Sequence, residues 1–202
     1  MSRLSKYIGS QFAKPRGLAG KICCYFMNRI NGKMYDSILD RLSSEQNVLE
    51  IGYGNGFLIS KMYNKLHAKI NGIDISEDMK TLATKKNEVG IRNGDIKLSH
   101  GDCCDLAFVD EQFDAVVTVN TIYFWEDTIK GLKEIRRVLK TEGTFYSAVY
   151  SKQWMSKSET LNEGKKMFEK DEYIAMAREA GFSETEIIDI KKNTTFIVAY
   201  RK

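Results

Sequence analysis

The feature that most constrains this chain is a glycine-rich turn that follows a short apolar run at residues 48–51. The turn reads Glu-Ile-Gly-Tyr-Gly-Asn-Gly, and its glycines stand at alternate positions from Gly52 to Gly56. Glycine has no Cβ atom, so such a turn can adopt positive φ angles and let the backbone approach a ligand closely. In open α/β sheets, ligands bind where the strands end, next to turns of this kind. The pattern therefore predicts a strand, a ligand-binding turn and a helix in direct succession.

An acidic residue at the end of the next apolar run, Asp74, indicates what the turn binds. It follows Gly56 by 18 residues, and a carboxylate at this place accepts hydrogen bonds from a ribose diol. A dinucleotide-binding turn would need a glycine at position 57, where this chain has Phe57. Glu50 would also repel a pyrophosphate, whereas it would attract a ligand with a cationic amino group. The glycine motif alone is equally compatible with a purely structural turn, but together with Asp74 it favours a nucleoside other than NAD.

Short apolar runs alternate with helical segments from residue 47 onward. Strands separated by helices of about 10–15 residues indicate βαβ units and a parallel sheet with right-handed crossovers. The last two runs are joined by Lys191-Lys192-Asn193, which is short enough for a hairpin. The sequence therefore predicts an α/β fold: a doubly wound, mostly parallel seven-stranded sheet with an antiparallel C-terminal hairpin. The predicted strands are 48–51, 69–73, 96–99, 113–119, 143–150, 184–190 and 194–200, and the predicted helices are 58–66, 77–88, 128–139 and 170–180.

Residues 1–44 are predicted to form an N-terminal helical cap within the same domain. Apolar residues recur every four positions from Leu18 to Met34, a spacing typical of a helix, and Asn31-Gly32 breaks or bends it. Residues 1–41 carry eight Lys/Arg against two acidic residues, so this helix is compatible with weak contact with an anionic membrane surface. A solvated helix face explains the same charge. Because lysines outnumber arginines by 22 to 9, no nucleic-acid partner is expected.

Composition excludes several other classes of protein. The chain has 202 residues, of which 43% are hydrophobic and 29% charged, as in an ordinary globular domain rather than a disordered or membrane-spanning chain. Its four cysteines form two adjacent pairs, Cys23-Cys24 and Cys103-Cys104, and with the two histidines they do not match the spacing of a zinc site. The charged N-terminus does not match a signal peptide. We therefore expect a reduced, cytoplasmic protein without a bound metal.

Five motifs, in order, resemble those of the class I S-adenosylmethionine-dependent methyltransferases. The glycine-rich turn is similar to the family's motif I, and Gly72-Ile-Asp-Ile-Ser76 is similar to its second motif. Segment 99–108 is similar to the family's Gly-Asp-x-x-x-Leu-Pro-Phe loop. Segment 113–120 is similar to the strand and loop at the methionine end, and segment 132–143 is similar to the helix and turn before the fifth strand. The resemblance covers about residues 45–150 and is closest to the small-molecule group that includes ubiquinone/menaquinone-biosynthesis-type enzymes. Ala107 and Thr141-Glu142 depart from the family pattern, which has Pro and Pro-Gly there.

The resemblance implies a Rossmann-like methyltransferase domain over residues 45–202, with S-adenosyl-L-methionine as cofactor and S-adenosyl-L-homocysteine as product. Glu50 and the backbone carbonyl of Asn120 would lie near the amino group, and Asp74 would hold the ribose hydroxyls. The glycine-rich backbone would pass beneath the methionine and ribose, and the adenine would contact residues of the two following loops. The cofactor-binding residues implied in this way are Glu50, Gly52, Tyr53, Gly54, Gly56, Asp74, Ile75, Asp102, Cys103 and Asn120.

The methyl acceptor is expected to be a small molecule of aromatic or lipophilic character, because aromatic side chains flank the predicted site. In-line methyl transfer can proceed by positioning and desolvation, and neither His67 nor His100 is well placed as a general base, so no catalytic residue is assigned. Two alternatives stay open: a cofactor-binding but catalytically silent regulator or subunit, and an NAD(P)-dependent Rossmann oxidoreductase. The candidate substrate-side residues are Tyr7, Phe12, Tyr25, Tyr123, Trp125 and Trp154.

Overall fold

The computed structural model describes residues 25–44, 46–157 and 165–202. Its strands are β1 Asn47–Ile51, β2 Lys69–Asp74, β3 Ile96–His100, β4 Phe113–Val119, β5 Leu139–Tyr150, β6 Glu184–Lys191 and β7 Thr195–Arg201. They form one sheet in the order β3-β2-β1-β4-β5-β7-β6. The pairs from β3 to β5 are parallel, whereas β7 runs antiparallel to β5 and β6. The predicted doubly wound, mostly parallel sheet with its antiparallel C-terminal hairpin is thus confirmed.

Helices cover both faces of this sheet. The described helices are α1 Gly32–Leu39, α2 Phe57–Leu66, α3 Glu77–Lys86, α4 Glu88–Arg92, α5 Thr128–Val138, α6 Lys152–Met155 and α7 Lys170–Glu179. Residues 25–30 are also helical, and Ile122–Phe124 form a 3-10 turn. Apolar side chains of α1 and α2 pack on one face of the sheet, and those of α5 and α7 pack on the other. In α5 the buried residues Leu132, Ile135 and Val138 recur at helical spacing, so one stripe of this charged helix faces the core.

Most element ends differ from the sequence prediction by at most one residue, and two elements differ by more. The predicted helix 77–88 divides at Asn87, whose side-chain Nδ2 donates to the carbonyl of Ala83 at 2.9 Å and to that of Gly56 at 3.1 Å. An asparagine that bonds to nearby backbone in this way competes with the helical ladder. Strand β5 begins at Leu139 instead of Gly143, because α5 ends at Val138 and Leu139 pairs directly with Phe113 across an irregularity in the register.

The topology places one crevice at the carboxyl ends of the central strands. The chain order reverses between β1 and β4, since β2 and β3 lie on one side of β1 and β5 lies beyond β4. At such a switch point the following loops diverge in opposite directions and leave a space between them. The loops after β1, β2 and β4 therefore converge on one site.

The described part of the N-terminal cap begins at residue 25. The chain bends at Asn31-Gly32, as the sequence predicts, and the apolar stripe splits there: Met34 is buried, whereas Phe26 and Ile30 are exposed. Residues 1–24 of the predicted cap lie outside the described residues. Among the helices that are described, none combines the length and the apolar character needed to cross a membrane.

Candidate functional site

A cavity of about 340 Å³ opens at the switch point of the sheet. The ends of β1, β2 and β4 form its floor, and Met27 and Asn28 of the helical segment, with the turn residue Asn31, form part of its wall. Most of the residues that the sequence analysis assigned to a cofactor line this one space. They are Glu50, Gly52, Tyr53, Gly54, Asp74, Ile75, Asp102, Cys103 and Asn120.

Glu50 is a buried acid at the floor of the cavity. Its side chain is 3% exposed, and its Oε2 atom has no hydrogen-bond partner among the described atoms. Burial and the nearby Asp74 carboxylate raise its pKa from 4.5 to about 8, while a backbone hydrogen bond from Ile59 acts in the opposite direction. A buried carboxylate oxygen without a partner is costly. It is therefore poised to bind a hydrogen-bond donor, and a positively charged donor best of all.

Asp74 connects the ends of β1 and β2. Its Oδ2 accepts a hydrogen bond from the backbone N–H of Gly54 at 2.8 Å, and its Oδ1 accepts one from Ser76 at 2.9 Å. The side chain therefore holds the glycine-rich turn in shape. A carboxylate has about four acceptor positions, and this one also lines the cavity, so it is placed to accept hydrogen bonds from a diol.

The three glycines of the turn all have positive φ angles, but they serve different purposes. A Cβ atom on Gly54 would meet no atom within 4 Å, so this position borders open space in the cavity. A Cβ on Gly52 would overlap the Cγ2 methyl of Thr121. Gly56 does not line the cavity; a Cβ there would lie 2.9 Å from Cβ of Ala83, so this glycine lets α2 pack against α3.

Replacing Gly52 by alanine is expected to lower the free energy of unfolding by about 2 kcal/mol, because the new side chain combines a positive φ angle with the overlap at Thr121. Urea unfolding followed by circular dichroism measures this change. In a Thr121→Ser background the methyl is gone but the hydroxyl stays, so part of the loss should be recovered. Equal losses in both backgrounds would show that Thr121 is not the obstacle.

The loop after β3 brings Asp102, Cys103 and Cys104 together. Asp102 Oδ1 accepts a hydrogen bond from the Cys104 N–H at 2.8 Å, and Ile75, 43% exposed, lines the same end of the cavity. The potential ligand atoms of these three residues lie within 4.8 Å of one another. Burial raises the pKa of both thiols, which disfavours the thiolate that a metal requires. This loop is thus better suited to contact a ring than to bind an ion.

The substrate-side candidates separate into three groups. Trp125 lines the first cavity and donates from Nε1 to Thr121 Oγ1 at 3.2 Å. Tyr123 and Trp154 line a second, adjoining cavity. Tyr25 lines neither: it is 65% exposed, and its ring packs edge-on against Phe26 on the solvent side of the helical segment. Tyr7 and Phe12 lie outside the described residues.

Several lining residues were not assigned by the sequence analysis. Asn28 donates from Nδ2 to Asn55 Oδ1 at 3.3 Å, which joins the N-terminal helical segment to the glycine-rich turn. Asn31, predicted only as a helix break, accepts from Asn120 Nδ2 at 3.1 Å and from the Tyr150 hydroxyl at 3.0 Å. No local pattern marks these residues as ligand-facing, because their position depends on contacts between distant parts of the chain.

These observations fit the ligand that the motif resemblance implies. The unpartnered Glu50 oxygen suits the amino group of a methionine moiety, Asp74 suits a ribose, and the open space over Gly54 lets a ligand lie on the backbone. One end of the cavity also carries the apolar side chain of Ile75, which suits a flat ring. The residues present are therefore those needed to hold a sulfonium nucleoside.

Comparisons with known proteins agree with this geometry. Residues 49–147 match a family described as a methyltransferase domain. The chain is 28% identical over 142 residues to the Bacillus subtilis protein named uncharacterized methyltransferase YdaC. The aligned region covers 69% of this chain and 73% of that protein. It is also 26% identical over 195 residues to the Arabidopsis thaliana chloroplastic 2-methyl-6-phytyl-1,4-hydroquinone methyltransferase. This alignment covers 87% of this chain but only 56% of that protein.

A solved structure shares the fold. The S-adenosylmethionine-dependent methyltransferase from Aquifex aeolicus superposes with a TM-score of 0.71 at 19% sequence identity, over 83% of this chain and 88% of the other. At this level of identity the likeness concerns the arrangement of strands and helices. It supports the Rossmann-like fold described above.

Proposed function

We propose that this chain is a class I S-adenosylmethionine-dependent methyltransferase that acts on a small molecule of aromatic or lipophilic character, and its match to a methyltransferase domain over residues 49–147 and its methyltransferase-named relatives support this. The observation that carries the proposal is the junction of two cavities. One contains an unpartnered buried carboxylate and the glycine-rich turn, and the adjoining one is lined mostly by apolar and aromatic side chains. The first suits a cationic donor, and the second suits an apolar acceptor.

S-Adenosylmethionine, held by Glu50, Asp74 and the glycine-rich turn, would supply an electrophilic methyl group to a nucleophilic atom of the acceptor and would leave as S-adenosylhomocysteine, with the acceptor's proton released to solvent. The chain's own residues position the two partners and exclude water. Positioning of this kind can supply about 7–11 kcal/mol of the reduction in barrier. The stacked, half-buried rings of Tyr150 and Trp154 and the buried ring of Tyr123 suit both tasks.

We assign the residues of the first cavity by their chemistry. Glu50 binds the amino group together with the backbone carbonyl of Asn120, and Asp74 binds the ribose hydroxyls. Asp102 and Ile75 hold the adenine, with the Cys103 backbone beside them. Gly52, Tyr53 and Gly54 pass beneath the ligand, while Gly56 supports the turn from behind. Two observations support these assignments. All of these residues except Gly56 line the first cavity, and the hydrogen bonds of Asp74 hold its carboxylate at the edge of that cavity.

Neither histidine acts as a general base in this proposal. His100 is exposed, its Nε2 lies 3.1 Å from the carbonyl oxygen of Ile75, and its Nδ1 lies 3.8 Å from Glu77. His67 ends α2 in the left-handed conformation and is also exposed. Neither residue lines either cavity. Proximity and desolvation are therefore the main catalytic devices.

An acceptor with an aromatic ring is supported by a relative as well as by the cavity. The Arabidopsis protein is named for a hydroquinone that carries a phytyl group, and the second cavity has four aromatic walls, Tyr123, Phe124, Tyr150 and Trp154. This chain spans only about half of that relative's length. Contact with an anionic membrane surface, a cytoplasmic location and the absence of a nucleic-acid partner stay predictions from the sequence.

The test is a calorimetric titration followed by an activity screen. We expect the purified chain to bind one equivalent of S-adenosylhomocysteine with micromolar affinity, and to transfer methyl groups from S-adenosylmethionine to at least one member of a panel of phenols, quinols and amines. His100→Ala should keep both properties. Tight cofactor binding with no transfer to any acceptor would favour the silent regulator, and NAD(H) binding in place of the nucleoside would favour the oxidoreductase.

A further inference from the structure

The second cavity, which we call the aromatic cavity, has a volume of about 110 Å³. Its walls include Phe124, Tyr150, Trp154 and Met155, and it shares Met27, Asn31, Asn120 and Phe124 with the first cavity. The two spaces therefore meet at a neck between Asn120 and Phe124. A molecule in the aromatic cavity would present one edge to the place where the glycine-rich turn holds its ligand.

The walls of the aromatic cavity are held in fixed positions. The rings of Tyr150 and Trp154 are stacked, with centroids 4.2 Å apart and an interplanar angle of 18°. Helix α6 carries Trp154, and its N-cap Ser151 accepts a hydrogen bond from the Trp154 N–H at 3.2 Å. The Tyr150 hydroxyl donates to Asn31 Oδ1 at 3.0 Å. Because both rings are fixed before any ligand arrives, binding costs little ordering of side chains.

Size and charge limit what the aromatic cavity can hold. An apolar cavity of about 150 Å³ binds benzene, so a space of about 110 Å³ has the size of one ring. Lys165 is the one charged side chain among its described lining residues, and its ammonium lies 5.6 Å from the centroid of Phe124. The stacked pair on the opposite wall carries no charge. A flat, neutral ring is the occupant that suits these surfaces.

We infer that the aromatic cavity holds a single, neutral aromatic ring of the methyl acceptor against the Tyr150–Trp154 pair, and that Trp154 is the residue that sets this specificity. The inference rests on the proposed function, since it takes the acceptor's edge to face the cofactor at the neck. It favours acceptors whose reacting ring is single over those in which it is fused to a second ring, because the space of about 110 Å³ has the size of one ring and the buried Met155 is among its walls.

Fluorine NMR tests this inference with two probes, 4-fluorophenol and 6-fluoro-2-naphthol, titrated with the protein in the presence and absence of S-adenosylhomocysteine. We expect 4-fluorophenol to bind at least about tenfold more tightly than the naphthol. Trp154→Ala should weaken 4-fluorophenol binding about tenfold, and Trp154→Phe should restore most of it. Tyr63→Ala is the matched control, because Tyr63 is a half-buried aromatic residue that lines neither cavity.

The outcomes separate this inference from the proposed function. Equal binding of the two probes, or 4-fluorophenol affinity unchanged by Trp154→Ala, would overturn the inference even if S-adenosylhomocysteine binds normally. Conversely, probe binding that depends on Trp154 in a protein that binds no S-adenosylhomocysteine would support the cavity and refute the methyltransferase proposal. Unchanged S-adenosylhomocysteine affinity in Trp154→Ala verifies that this variant is folded.

Discussion

Replacing Asp74 by alanine is expected to weaken S-adenosylhomocysteine binding at least about a hundredfold. The carboxylate serves two purposes, because it shapes the turn through the N–H groups of Gly54 and Ser76 and it faces the cavity where a ribose would lie. Each hydrogen bond to a charged group contributes about 1.5–3 kcal/mol, and a hundredfold change in affinity corresponds to about 2.7 kcal/mol. Isothermal titration calorimetry measures the loss directly.

Two further variants make this prediction specific. Asp74→Asn keeps one acceptor oxygen and should lose less affinity than Asp74→Ala. Asp95→Ala is the control, because Asp95 pairs with Lys69 on the surface at 2.6 Å and does not line the cavity. If Asp95→Ala reduced the affinity as much as Asp74→Ala, the effect would arise from general destabilisation and the assignment of Asp74 to the ribose would be wrong.

Replacing Glu50 by glutamine is expected to stabilise the protein without ligand at alkaline pH. The pKa of Glu50 is raised from 4.5 to about 8 in the folded chain. Between pH 4.5 and pH 8, therefore, Glu50 is protonated in the folded state and ionised in the unfolded state. Stability therefore falls as the pH rises through this window, by roughly 3 kcal/mol between about pH 5.5 and pH 8.5. Glutamine does not ionise, so the variant should lack this loss. Urea unfolding at several pH values measures it.

The same substitution should weaken S-adenosylhomocysteine binding about tenfold or more, because glutamine has no charge to attract the amino group. Stability and affinity would thus change in opposite directions. Glu134→Gln is the control. Arg137 lowers the pKa of Glu134, so the stabilisation that the Glu134 carboxylate contributes is present above pH 4.5 and is lost only in acid. Stability in this control should therefore fall between pH 5.5 and pH 8.5 as in the wild type. A wild-type protein whose stability does not vary between pH 5.5 and pH 8.5 would contradict the role given to Glu50.

Much of the fold could be predicted because its signals are local. The apolar runs of β1, β2 and β4 are short and bounded by turn residues, so their ends were located to within one residue. The prediction failed where a contact from elsewhere in the chain decides the outcome. Asn87 interrupts a helical pattern by bonding to Gly56, which lies 31 residues earlier. Leu139 joins β5 early because Phe113 is available to pair with it.

The candidate site shows the same division between local and distant signals. Glu50, Gly54 and Asp74, which line the first cavity, could be proposed as site residues because glycines and acids at strand ends have a recognisable spacing. Asn31 was missed as a ligand-facing residue because its bonds to Asn120 and Tyr150 span 89 and 119 positions. Tyr25 was predicted to lie near the substrate from its aromatic character and its place in the N-terminal cap, and only the orientation of the helix shows that it points to solvent.

The separation of the two cavities has a consequence for how this enzyme can change. Most of the residues proposed to hold the donor lie at or just after the ends of β1, β2 and β3, whereas most of the aromatic walls of the second cavity lie at or just after the ends of β4 and β5. The two sets meet at few shared positions, chiefly Asn31, Asn120 and Phe124. Substitutions at Trp154 or Met155 can therefore accumulate without disturbing the donor half of the molecule. An engineer, or natural selection, could thus give this scaffold a new acceptor by altering one short stretch after β5, while the methyl-donating apparatus is inherited intact.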